Sequence, residues 1–66
     1  MSFKVGDRVF DINFPDKLGT ILEVNVYSIT LKRYFIKIKY DHLNINRLEF
    51  SSELRLFKPK LFHYSI

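Results

Sequence analysis

The chain has two glycines, and each stands immediately before a run of strand-forming residues. Gly6 precedes Asp7-Arg8-Val9-Phe10, and Gly19 precedes Thr20-Ile21-Leu22-Glu23-Val24-Asn25-Val26. Glycine gives a chain a turn at low steric cost. The stretch from Lys4 to Val26 therefore reads as turn, short strand, loop, turn and second strand. Alternation from Phe3 to Asp11 is broken at Gly6, which leaves Arg8 to Asp11 as the first strand. Asn13, Pro15 and Asp16 put turn chemistry between Ile12 and Leu18, so Phe14 is expected in a loop. Thr20 to Val26 is β-branched at four positions and sets Leu22, Val24 and Val26 on one face.

The remainder follows the same short rhythm. From Ile29 to Tyr40 the apolar positions Tyr34, Ile36, Ile38 and Tyr40 alternate with Phe35, Lys37 and Lys39, the pattern of a half-buried strand. A helix would spread the same apolar set around its cylinder instead of forming one stripe. Ile29-Thr30-Leu31 reads either as the start of this strand or as a separate strand turned at Lys32-Arg33. Asp41 to Asn46 carries a connection, Arg47 to Phe50 a strand, Ser51-Ser52-Glu53 one 3₁₀ turn, and Leu54 to Phe57 a closing strand. Pro59 interrupts pairing in the basic and aromatic tail from Lys58 to Ile66.

A chain of 66 residues is one domain near the lower size limit for folding without staples. Seven Phe and four Tyr supply the dense apolar content that such a domain needs. With no Cys there is neither a disulfide framework nor a thiolate metal site. The first residues hold no apolar leader, and no run approaches the roughly 18 apolar residues that span a bilayer. A cytoplasmic protein with no membrane partner is the expectation.

Charge is polarised along the chain. Residues 1–27 carry three basic and four acidic side chains, whereas residues 28–66 carry eight basic and three acidic. Such asymmetry raises the expectation of a polyanionic or acidic partner.

Five short strands separated by turns, with one 3₁₀ turn before the last, is the pattern of a small all-β barrel. Val5-Gly6-Asp7-Arg8-Val9, Gly19 to Val24, Phe35 to Asp41 and Glu53-Leu54-Arg55-Leu56 resemble the four blocks of SH3-like barrels of the KOW and Tudor-like kind. The chain also resembles small uncharacterised proteins of phages and mobile elements. The resemblance covers roughly residues 3–57 and implies a five-stranded SH3-like barrel over residues 1–57, with residues 58–66 as a tail. It implies binding without naming the ligand, because relatives of this kind bind RNA, DNA, methylated peptides or other proteins.

The leading candidate site is basic with interleaved aromatics: Lys32, Arg33, Tyr34, Phe35, Lys37 and Lys39, extended by Arg47, Lys58 and Lys60. Lys37 and Lys39 share the solvent face of a strand, where they would neutralise phosphates while Phe35 or Tyr34 stacks on a base. The plainer explanation is that outward lysines keep a strand soluble and discourage edge pairing. Nucleic acid or a nucleoprotein is the expected partner. The alternative is a protein-interaction module in which Leu61, Phe62 and Tyr64 of the tail dock a partner or a second copy, so that monomer and homodimer both remain open. In the plainer reading the tail folds back and completes the core.

Tyr27, Tyr34, Tyr40 and Phe14 are the residues from which an aromatic cage for a cation would be built, although no motif ties them together. His42 and His63 lack the neighbours that a metal site or a nucleophile-base pair would need, and two glycines cannot make a phosphate loop. No enzyme, no metal and no cofactor are expected.

Overall fold

The computed structural model describes residues 2–58. Within them the chain forms one antiparallel sheet of five strands: β1 (Arg8–Asp11), β2 (Phe14–Ser28), β3 (Arg33–Tyr40), β4 (Asn46–Glu49) and β5 (Leu54–Leu56). Their order across the sheet is β4-β3-β2-β1-β5, so the first strand lies between the second and the last. A single 3₁₀ turn, Ser51–Glu53, links β4 to β5, as the sequence predicts. Among the described residues no helix is long and apolar enough to cross a membrane.

The two glycines do different work. Gly6 has φ of +93°, a region that L side chains rarely adopt. Its N–H donates to the Ile21 carbonyl (2.8 Å) and the Ile21 N–H returns to the Asp7 carbonyl (2.9 Å), which continues the β1–β2 ladder into the turn. Gly19 is not at a turn. It sits inside β2, paired with Val9 on one side and Tyr40 on the other. A Cβ there would lie 2.6 Å from Ile38 Cγ2 and 3.0 Å from the Tyr40 ring. The glycine is needed for close approach rather than for chain reversal.

The strand after Gly19 is also longer and less regular than its alternation suggests. Asp11 and Phe14 pair directly around a two-residue turn, and Asp11 Oδ1 accepts the Asn13 N–H at 2.7 Å. Phe14 is thus extended rather than in a loop. The turn formers expected to make that loop form a register shift, and Pro15, Asp16 and Lys17 take no partner on β1. Proline has no N–H to contribute to a ladder, so it is tolerated where pairing lapses.

Further along β2, two more shifts fall between Ile21 and Glu23 and between Glu23 and Val26, with Asn25 at φ 57°. Each inserts one extra residue on β2, and a one-residue insertion inverts which face a side chain takes. Ile21 is therefore in the core, Leu22 is exposed, and Val24 packs on the core again. Leu22, Val24 and Val26 do not share a face.

The core comprises Val9, Ile21, Ile36, Ile38, Tyr40 and Leu54, with Phe3, Val24, Leu43 and Leu56 against it. Alternation on β3 holds for Ile36, Ile38 and Tyr40. Tyr34 lies beyond the core and is 64% exposed, whereas Phe35 is only 6% exposed, with its ring centroid 4.9 Å from that of Phe50.

Gly19→Ala must displace a buried isoleucine, a tyrosine ring and the Lys39 carbonyl. We expect a loss of about 2 kcal/mol and a fall in Tm on the order of 10 °C. Gly6→Ala meets no atom within 4 Å and is strained only in its backbone, so its loss should be about 1 kcal/mol. Equal losses in thermal and urea melts would contradict the distinction.

Candidate nucleic-acid interface

The basic residues singled out by the sequence that lie among the described residues do not converge as one face. Lys32, Arg33 and Tyr34 come together at the far end of the β2–β3 hairpin. There the last ladder pairs are Tyr27 with Tyr34 and Ser28 with Arg33, joined by a four-residue loop, Ile29 to Lys32. The Lys32 N–H donates to the Ser28 carbonyl (2.7 Å) and the Leu31 N–H to Ser28 Oγ (3.2 Å), so Ser28 closes the loop with both its backbone and its hydroxyl. Lys32 has φ of 55°, the left-handed conformation common at the end of such loops. The Tyr27 and Tyr34 rings are 4.9 Å apart with planes inclined at 59°, and both remain open to solvent at 49% and 64%. The Arg33 guanidinium lies 4.8 Å above the Phe50 ring, a cation–π contact that also covers the Phe35–Phe50 pair.

The other expected phosphate ligands are engaged or displaced. Lys37 is on the outer face beside Glu23, with Nζ 3.5 Å from the carboxylate. Lys39 is half-buried, and its ammonium donates to the carbonyls of Tyr40 (2.9 Å) and Leu43, holding the connection after β3. Phe35 is covered and cannot stack on a base. Arg47 pairs with Ile38 across β3–β4 and so falls on the opposite face from Lys37. Lys58 is exposed just after β5, with two strands between it and β3 in the sheet. Lys60, Leu61, Phe62 and Tyr64 lie outside the described residues.

Arg8, which the sequence did not single out, makes the most extensive ion pair. Its guanidinium donates to both Asp41 carboxylate oxygens (2.9 and 2.5 Å) and to Thr20 Oγ1 (2.7 Å). That hydrogen bond, followed by the charges of Arg8, Lys39 and His42, holds the Asp41 carboxyl below its ordinary range.

A concavity of about 530 Å³ opens at the Tyr40 end of β3. Asp11, Glu49 and Glu53 line it together with Arg47 and the exposed Phe14 ring. The Tyr40 hydroxyl donates to Glu49 Oε2 at 2.6 Å. Burial first, then that bond, raise the Tyr40 phenol well above the usual tyrosine range. Lys17 and His42 line it too, and three carboxylates against Lys17 and Arg47 leave the groove without a net attraction for phosphate. Among the described residues no group of three or more His, Asp or Glu could hold a metal ion.

Sequence reasoning named Tyr27 and Tyr34 only as walls of an aromatic cage with Phe14 and the buried Tyr40, not as a cross-strand pair. The two lie symmetrically about Thr30-Leu31, and centring the hairpin there would have paired them. A scan of protein-family models and searches of curated proteins and solved structures find no match to the chain.

Asp41 contributes stability that is present above the unfolded carboxylate pKa and is lost as pH falls through its lower folded value. Asp41→Asn should therefore lose less stability than the parent between neutral and strongly acid pH in urea melts. Parallel acid limbs would show that the pair adds nothing.

Proposed function

We propose that the chain is a non-enzymatic binding module of SH3-like architecture, working in the cytoplasm, that contacts nucleic acid through the end of its β2–β3 hairpin. The strand order, with β1 between β2 and β5, and the 3₁₀ turn before the last strand support the architecture. One observation carries the function: an exposed tyrosine pair stands beside Lys32 and Arg33, in a stretch from Val24 to Tyr40 that contains no carboxylate. Aromatic faces next to cations, free of nearby acids, are what a single or distorted nucleic-acid strand uses.

Fluorescence anisotropy with labelled DNA and RNA at low and moderate salt tests the reading. Arg33→Ala combined with Tyr34→Ala should weaken binding by about tenfold or more. Lys37→Gln should change it little, because that ammonium already faces Glu23. Lys39→Met should lower Tm and leave the affinity of the folded fraction unchanged. Absence of binding at low salt, or equal losses for Lys37 and Arg33 variants, would overturn the assignment.

A protein partner at the same end is the second reading, favoured by Ile29 at 84% and Leu31 at 59% exposure. It would gain if Ile29→Ser with Leu31→Ser abolished capture of one defined protein from nuclease-treated lysate while oligonucleotide affinity persisted.

A further inference from the structure

We infer that the hairpin end takes unpaired bases, stacked on Tyr27 and Tyr34, and that stacking rather than charge carries the affinity. This rests on the nucleic-acid reading above and specifies its ligand as a single-stranded segment. Three observations lead to it.

First, the ring geometry is open. Planes inclined at 59° are far from a parallel stack, so neither ring is covered by the other, and both residues are exposed. A base has a π-face of similar width, and such a contact tolerates any base. In a duplex the base faces are already covered by their neighbours, so these rings would find only groove edges and backbone.

Second, the supply of free cations is small. Of the lysines and arginines on β3 and its turn, Lys37 faces Glu23 and Lys39 is bound to two carbonyls. Lys32 remains at the tip, together with Arg33, whose guanidinium lies over the Phe50 ring but meets no carboxylate among the described residues. Two phosphate contacts correspond to a slope of about −1.4 in log K against log salt for a single strand. The full basic set expected from the sequence would give a slope several times steeper.

Third, Lys32 holds the left-handed position that closes the loop, which glycine adopts with less strain. A lysine there puts a basic residue at the end of the loop, two positions before Tyr34. Its removal can be tested without breaking the turn, because Lys32→Gly keeps the backbone conformation while deleting the charge.

The experiment titrates labelled oligouridine, oligothymidine and a blunt DNA duplex against the full chain over a range of salt, with Tyr34→Ala and Lys32→Gly as variants. The expected result is binding of both single strands more tightly than duplex, with a slope near −1.4. Tyr34→Ala should weaken single-strand binding by about tenfold or more and leave the slope unchanged. Lys32→Gly should keep or raise Tm, weaken binding severalfold and bring the slope toward about −0.7. Duplex preference with a steep slope would overturn the stacking assignment while leaving nucleic-acid binding in place. No binding to any of the three probes would overturn both.

Discussion

The structure depends on the absence of one carbon atom. At Gly19 the β2 backbone lies so close to β3 that a Cβ would meet Ile38, Tyr40 and the Lys39 carbonyl at once. Without it, the Ile38 and Tyr40 side chains lie over β2 and reach the core built from Val9 and Leu54. The row Leu56, Val9, Gly19, Tyr40 then crosses four strands, from β5 through β1 and β2 to β3. Tyr40, seated by this contact, presents its hydroxyl to Glu49 on β4 and so ties that remaining strand to the row. A small chain buries little surface, and each such contact is a larger fraction of its stability than in a bigger domain.

The same economy governs the cations. A formal charge of +4 suggests an electropositive surface, yet much of that charge serves the fold. Arg8 is spent on Asp41 and Thr20, Lys39 on the carbonyls of Tyr40 at the end of β3 and Leu43 after it, and Arg55 donates to the carbonyls of Ser52 and Leu54. Carbonyl groups in connections need donors, and a long flexible cation is one of the few side chains able to reach two of them. Net charge still attracts polyanions at a distance, but close contacts are left to the few groups without internal duties.

The extent to which this was legible in the sequence follows from what each residue responds to. The strands around Val9, Ile36 to Ile38 and Leu54 were readable because period-two alternation reports burial directly. The 3₁₀ turn at Ser51–Glu53 was readable from three polar residues between apolar runs. The faces on β2 were not, since each bulge inverts the alternation and neither Leu22 nor Asn25 announces an insertion. Gly19 was misread as a turn because a glycine needed for close approach looks identical in sequence to one needed for φ. Phe35 was assigned to solvent by parity, and only the folded position of Phe50, fifteen residues later, covers it. The basic site was half visible: composition gives the charges, but whether Lys37 meets a phosphate or Glu23 depends on a cross-strand register that the bulges conceal.

The separation between the two ends of β3 bears on how a strand could lie on this surface. Arg33 and Tyr40 are seven residues apart, roughly 23 Å along an extended chain. That exceeds the Debye length of about 8 Å at physiological ionic strength. Asp11 and Glu53, at the Tyr40 end, therefore do little to cancel the field of Lys32 and Arg33. Glu49 keeps its charge, but the Tyr40 hydroxyl holds that carboxylate at the Tyr40 end, and Glu23 stands beside Lys37. The acids are thus either held at the far end or beside a lysine, which leaves the hairpin tip positive despite the modest number of cations there. The groove at the Tyr40 end sets three carboxylates against Lys17 and Arg47 and so offers a phosphate backbone no net attraction, which favours a bound strand that crosses the hairpin at its tip over one that follows β3 along its length.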